Sequence, residues 1–158
     1  MRIAILTVSD RCSRGEAEDT SGPALAAAAA RHGAAVTSAK IVPDEREQIE
    51  AVLCQWADGG EVEVVLTTGG TGIAARDVTP EATLAVIERT VPGMAEAMRA
   101  ESLKITSRAM LSRAVAGTRG KCLIINLPGS PKGAVECFEV ASSVLEHAVD
   151  LLAGRTAH

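Results

Sequence analysis

Strand-type and helix-type segments alternate along this 158-residue chain, and the alternation constrains its fold more than any other feature. The predicted strands are apolar and rich in β-branched residues: "RIAILTVSD" (2–10), "AAVTSAKIV" (34–42), "VEVVLTT" (62–68) and the two arms of a hairpin over 114–127. Helical spacing of apolar residues predicts helices within the segments 23–33, 44–60, 80–90, 93–104 and 131–154. Strands that alternate with helices run parallel, with helices on both faces of the sheet. The sequence therefore predicts an α/β, doubly wound fold with a mostly parallel sheet.

Proline and glycine mark several of the predicted helix ends. Pro23 lies in the first turn of its helix and Gly33 follows the last residue. Thr79 is placed to cap the helix that begins at Pro80. These residues support the boundaries that the apolar spacing predicts.

The composition excludes several classes of protein. With 47% hydrophobic residues, the chain can bury one core, so residues 1–158 are expected to form a single domain whose last few residues are disordered. Acidic and basic residues are mixed and the formal net charge is −4, which argues against nucleic acid or an anionic membrane as a partner. The apolar N-terminal run ends at Asp10 and Arg11 and has no cleavage-site pattern, so it predicts a strand rather than a signal peptide. A cytoplasmic location is expected.

Four clusters of small and polar residues follow the ends of predicted strands. They are "TVSDR" (7–11), "VPDE" (42–45), "TTGGTG" (67–72) and "NLPGSP" (126–131). Ligands of open α/β sheets bind outside the carboxyl ends of the strands. The four clusters are therefore expected to outline one pocket.

The glycine cluster admits several interpretations, of which an ordinary turn is the simplest. A P-loop is excluded because position 73 is Ile where the motif needs Lys. Gly70, Gly72 and Ala75 fit a dinucleotide fingerprint loosely, but that motif opens directly into a helix and the predicted helix begins only near residue 80. In a third interpretation, the backbone N–H groups of residues 69–72 form a cradle for phosphate.

Two carboxylates favour the phosphate interpretation. Asp77 follows the glycines, and Asp44 follows the second predicted strand. Each could be a favourable charge at the start of a helix. However, a carboxylate beside a phosphate repels it unless a cation lies between them, and Mg²⁺ binds both groups. Because both residues are expected at the carboxyl ends of neighbouring strands, a shared Mg²⁺ is predicted.

Five sequence blocks, in order over about residues 2–153, resemble the molybdopterin adenylyltransferase family, which includes MogA- and MoaB-type proteins and the G domain of gephyrin. The blocks are "ILTVSDR", "VPDE", "LTTGGTG…RDVTPEAT", "ESLKIT…AMLSRAVAG" and "IINLPGSPKGAVEC". The resemblance implies a three-layer fold and the Mg²⁺-dependent transfer of AMP from ATP to the terminal phosphate of molybdopterin, with release of pyrophosphate. It also implies a homotrimer and a downstream molybdenum-insertion protein.

The resemblance assigns roles to particular residues of this chain. Asp44 and Asp77 resemble the catalytic, metal-binding carboxylates. Ser102, Ser112 and Asn126 resemble the polar side of the pterin site, although a helix-end hydroxyl, a turn residue and a strand-end hydrogen bonder would also explain them. The implied nucleotide and phosphate site is formed by Ser9, Asp10, Thr67, Gly69, Gly70, Thr71 and Gly72.

Two other functions remain open on the sequence alone. A non-catalytic, MoaB-like module would hold molybdopterin or a partner protein without turning it over, and the presence of both Asp44 and Asp77 argues against it. A nicotinamide oxidoreductase would bind NAD(P)H through the loose dinucleotide fingerprint.

Overall fold

A computed structural model gives the fold and describes residues 1–155. The strands are β1 (Arg2–Val8), β2 (Ala35–Val42), β3 (Val64–Thr68), β4 (Arg89–Thr90), β5 (Ala116–Arg119) and β6 (Cys122–Leu127). The helices are α1 (Asp10–Ser13), α2 (Ser21–Arg31), α3 (Arg46–Asp58), α4 (Thr79–Val86), α5 (Pro92–Leu103) and α6 (Pro131–Ala153), with a 3-10 helix at Ser107–Leu111. The predicted disorder of the last few residues concerns 156–158, which lie outside the described residues.

One six-stranded sheet has the order β2-β1-β3-β6-β5-β4. β2, β1, β3 and β6 are parallel, whereas β5 is antiparallel to β6 and to β4. The predicted mostly parallel sheet and the predicted hairpin, formed by β5 and β6, are both confirmed.

Helices cover both faces of this sheet, as the alternation predicts. Ile3 and Ile5 of β1 pack into a core with α2, α5 and α6, while Ala4, Leu6 and Val8 pack into a second core with α3 and α4. Because both faces of the central strands are covered, these strands are mostly apolar and do not alternate apolar with polar residues. The α/β fold has three layers.

The predicted helix over 80–90 is too long. α4 ends at Val86 because Ile87 is extended, with ψ of 148°. The N–H of Glu88 then donates to the carbonyl of Thr118 (2.7 Å) and that of Val91 to the carbonyl of Ala116 (2.8 Å). This pairing with β5 converts the end of the predicted helix into β4.

None of the helices within residues 1–155 is both long enough and apolar enough to cross a membrane.

Candidate active site

The four polar clusters lie at one edge of the sheet, because they follow the carboxyl ends of its four parallel strands. Hydrogen bonds join the clusters to one another. The N–H of Ser9 donates to the carbonyl of Val42 (2.9 Å), and the N–H of Gly69 donates to the carbonyl of Leu127 (3.2 Å). Asp44 and Asp77, however, do not follow neighbouring strands, since β1 lies between β2 and β3. The expectation that the two carboxylates follow neighbouring strands is therefore wrong.

The glycine loop turns sharply after β3. Gly69 and Gly70 have φ of 101° and 65°, which other residues rarely adopt. The hydroxyl of Thr79 donates to the carbonyl of Gly69 (2.8 Å), and the backbone N–H of Thr79 donates to the carbonyl of Gly70 (3.1 Å). Thr79 therefore lies inside α4 and secures the loop, instead of capping the helix as predicted; Val78 occupies the cap position.

The cradle is shorter than the sequence suggests. The N–H of Gly69 already donates to Leu127, and so cannot bind phosphate. The N–H groups of Gly70, Thr71 and Gly72 donate to no other group within residues 1–155. These three amides are the donors that a phosphate could use.

Asp10 and Asp44 form a reciprocal pair at the ends of β1 and β2. The N–H of Asp10 donates to the Asp44 carboxylate (2.8 Å), and the N–H of Asp44 donates to that of Asp10 (3.0 Å). The Arg76 guanidinium donates two hydrogen bonds of 2.9 Å to Asp10 and lowers the pKa of that carboxyl. Burial raises the pKa of Asp44, and the negative charges of Asp10 and Asp77 raise it further. The hydrogen bond from the N–H of Asp10 and the charge of Arg76 lower the pKa of Asp44 but do not offset these effects.

The Asp77 carboxylate lies beside Gly72 of the glycine loop. It accepts a hydrogen bond from the N–H of Ala74 (2.9 Å), and a Cβ on Gly72 would lie 2.8 Å from it. A Cβ on Gly70 would lie 3.1 Å from the Asp44 carboxylate. Both carboxylates thus contact the loop.

This arrangement fits Mg²⁺ in the presence of a substrate phosphate. Within residues 1–155, no cluster of three or more acidic, His or Cys side chains could hold a metal alone. Mg²⁺ commonly takes one or two carboxylates and completes its coordination with water and phosphate oxygens. Asp44 and Asp77 are the residues that would hold it.

A cavity of about 400 Å³ adjoins the glycine loop. Its wall is mainly apolar, with Met98, Ile105, Leu111 and Pro128, and it includes the predicted residues Ser102, Ser112, Asn126, Thr71 and Gly72. Ser9, Asp10, Asp44, Thr67, Gly69, Gly70 and Asp77 do not line it. The cavity and the cradle therefore meet at Thr71 and Gly72.

The three residues predicted to bind the pterin differ in whether their polar groups are free to bond a ligand. The hydroxyls of Ser102 and Ser112 make only weak contacts, to Cys137 Sγ (3.5 Å) and from the N–H of Ala114 (3.4 Å). Asn126 is completely buried, and its amide donates to the hydroxyls of Thr67 (3.0 Å) and Thr83 (2.9 Å). Asn126 and Thr67 therefore use their hydrogen bonds on other buried side chains. The two serines line the cavity and can make further hydrogen bonds.

Residues 4–147 match the family model described as "Probable molybdopterin binding domain". The chain belongs to this family. Among its relatives, the molybdopterin adenylyltransferase of Helicobacter pylori J99 is 44% identical over 98% of this chain and 89% of its own length. The molybdenum cofactor synthesis protein cinnamon of Drosophila melanogaster is 46% identical over 94% of this chain, which spans 25% of that longer protein. The crystal structure of the molybdopterin biosynthesis enzyme MoaB from Thermus thermophilus superposes with a TM-score of 0.91 at 50% identity, covering 97% of this chain and 96% of that one.

In this molybdopterin-binding domain, sequence reasoning missed two arginines. Arg99 lines the cavity and donates to the carbonyl of Ala114 (2.8 Å). It precedes Ser102 by three residues on α5, so helical spacing would have placed both on one face. Arg113 follows Ser112 directly and contacts the loop that carries Asp77. Its contacts join segments distant in sequence, so only the fold reveals them.

Proposed function

We propose that this protein is a molybdopterin adenylyltransferase, which transfers AMP from ATP to the terminal phosphate of molybdopterin and releases pyrophosphate. The observation that carries the proposal is the junction at Thr71 and Gly72, where a cavity wide enough for a small ring system meets an amide cradle flanked by two carboxylates. The two substrates would place their reacting phosphates at this junction. The names of relatives that are 44–45% identical, the molybdopterin adenylyltransferases of Helicobacter pylori and Escherichia coli, support the same activity.

The reaction joins two anions and needs little proton transfer. An ionised phosphate oxygen of molybdopterin attacks the α-phosphorus of ATP, a new P–O bond forms, and the bond to the β-phosphate oxygen breaks with pyrophosphate as the leaving group. Positioning and charge neutralisation supply most of the catalysis. The amides of residues 70–72 orient and partly neutralise the phosphates, and Asp44 and Asp77 would hold Mg²⁺, which would supply further positive charge to neutralise them.

The decisive experiment measures Mg²⁺-dependent pyrophosphate release from ATP with and without molybdopterin. An adenylyltransferase releases pyrophosphate only when molybdopterin is present. Binding of molybdopterin without pyrophosphate release would support the scaffolding alternative instead. A fluorescence titration with NAD(P)H should show no binding.

We expect Ser102→Leu and Ser112→Leu each to weaken molybdopterin binding about tenfold or more, because extra volume in a preformed cavity costs about 1–3 kcal/mol. ATP binding should stay nearly unchanged, since neither serine contacts the glycine loop through its side chain. Ser143→Leu is the matched control, because Ser143 is exposed on α6 and its hydroxyl bonds only to the carbonyl of Val140. Equal losses of both ligands would count against the assignment.

The same proposal includes the oligomeric state of the enzyme, its cellular location and its downstream partner. Residues 1–158 act as one domain in the cytoplasm, and a molybdenum-insertion protein takes up the adenylylated product. The protein forms a homotrimer through surfaces away from the glycine loop, where apolar side chains such as Leu84 and Val144 are about half exposed (49% and 48%). Light scattering at micromolar concentration should give three times the chain mass, and a monomer mass would refute the trimer.

A further inference from the structure

Arg113 contacts both ends of the segment that carries Asp77. Its backbone N–H donates to the carbonyl of Thr71 (2.8 Å), and its Nε donates to the carbonyl of Gly72 (2.7 Å). Its Nη2 donates to the carbonyl of Asp77 (2.7 Å). One residue therefore holds three carbonyls of the 71–77 segment.

The guanidinium is itself held in place from α4. Glu81, in the first turn of that helix, accepts hydrogen bonds from Nη1 and Nη2 of Arg113. The planar fork of arginine allows one side chain to reach a carboxylate and two carbonyls simultaneously. A lysine ammonium at this position could not reproduce that geometry.

Besides Arg113, the segment is held by the Arg76 guanidinium, which donates to Asp10 and Glu45, and by the N–H of Ala74, which donates to the Asp77 carboxylate. Ile73 to Arg76 are exposed, and within the segment the Asp77 N–H donates to the carbonyl of Ala74 (2.9 Å). On the other side of Arg113, its neighbours Ser112 and Ala114 line the cavity. Arg113 thus lies between the cavity wall and the carboxylate loop, without lining the cavity itself.

We propose that Arg113 is a positioning residue that fixes the amides of residues 70–72 and the Asp77 carboxylate relative to the cavity. This inference rests on the proposed adenylyltransferase function for its kinetic consequence. It does not require Arg113 to touch either substrate. A displacement of about 1 Å at a catalytic group can cost about 100-fold in rate, so loosening this loop should affect turnover more than binding in the cavity.

The test compares Arg113→Lys and Arg113→Met with a matched control, Arg119→Met. Arg119 also donates two hydrogen bonds to a carboxylate, that of Asp58 (2.8 and 2.8 Å), and a third to the carbonyl of Val86 (3.0 Å). It pairs with Cys122 at the amino end of β6, so it lies at the opposite edge of the sheet from the site. Both Arg113 variants should lower kcat about 10- to 100-fold, with the KM for molybdopterin changed by less than about threefold. Arg119→Met should leave kcat unchanged.

Hydrogen exchange of the free protein supplies a readout that needs no substrate. In Arg113→Lys and Arg113→Met, the hydrogen-bonded amides of Ala74 and Asp77 should exchange at least about tenfold faster, while those of β1 and β3 stay protected. Unchanged exchange in the loop, or equal loss of kcat in the Arg113 and Arg119 variants, would overturn the proposal. If wild-type protein released no pyrophosphate, the adenylyltransferase function would fail, and the exchange data would still decide whether Arg113 holds the loop.

Discussion

Asp77→Asn should lower the turnover of adenylylation about 100-fold or more, which corresponds to roughly 3 kcal/mol of transition-state stabilisation. The substitution keeps the shape of the side chain and one oxygen that can bind a metal, but it removes a negative charge. A cation held against the phosphates by Asp44 and Asp77 would lose half of its carboxylate partners. The expected defect is therefore in the rate and in the Mg²⁺ requirement.

The fold should survive this change. The Asp77 carboxylate accepts a hydrogen bond from the N–H of Ala74, and an Asn oxygen can accept the same bond. Functional carboxylates commonly contribute little to stability, so Tm should change by no more than about 2 °C. The measurement is turnover and Tm across a Mg²⁺ titration, with Asp58→Asn at the opposite edge of the sheet as the control. Near-normal turnover with an unchanged Mg²⁺ dependence would contradict the metal role and leave Asp77 only as a favourable charge near a helix start.

The parts of this fold that local patterns specify were predictable from the sequence. β1, β3 and β6 are buried on both faces, so they are short, mostly apolar runs, and their length and β-branched residues indicate strands rather than helices. Their parallel order places the polar clusters at one edge, which is why the glycine loop, Asp44 and Asp77 could be grouped before any coordinates were known. The family resemblance added Ser102 and Ser112, which local patterns alone could not have connected with the loop.

Features that depend on distant pairing were not predictable. The sequence "IERT" at 87–90 continues a helical pattern, and its pairing with β5, through the bonds from Glu88 to Thr118 and from Val91 to Ala116, makes it extended. Strand order is likewise a property of the whole sheet, so nothing in the sequence showed that β1 separates β2 from β3. The role of Arg113 was not predicted for the same reason, because the partners of its side chain lie 32 to 41 residues away along the chain.

In the glycine loop, the local sequence predicts a phosphate cradle and a contact with a distant strand changes its extent. Its sequence predicts an anion cradle of residues 69–72, but the bond from Gly69 to the carbonyl of Leu127 leaves the cradle to residues 70–72. Gly69 instead forms the sharp turn against β1 and β6. The residue is therefore required for the geometry of the loop and not for a hydrogen bond to phosphate.

Gly69→Ala should consequently have the largest effect on stability among the loop variants, lowering the free energy of unfolding by about 4 kcal/mol and Tm by roughly 10 °C. Two causes add. The φ of 101° is strained for any residue with a Cβ. A Cβ would also lie 2.3 Å from the carbonyl oxygen of Val8, a backbone atom at the end of β1, and β1 is paired with β2 on one side and β3 on the other. Relief requires the loop to shift, which moves the amides of residues 70–72.

Gly33→Ala separates these two causes. Gly33 also has a positive φ, of 71°, but a Cβ there would meet no atom within 4 Å. Its substitution should cost only about 1 kcal/mol, from the backbone conformation alone. Thermal unfolding and pyrophosphate release, measured well below both midpoints, should show a small stability loss with full activity for Gly33→Ala and losses of both for Gly69→Ala. If the two variants unfold at the same temperature, the close approach of Gly69 to Val8 is not what determines the glycine at this position.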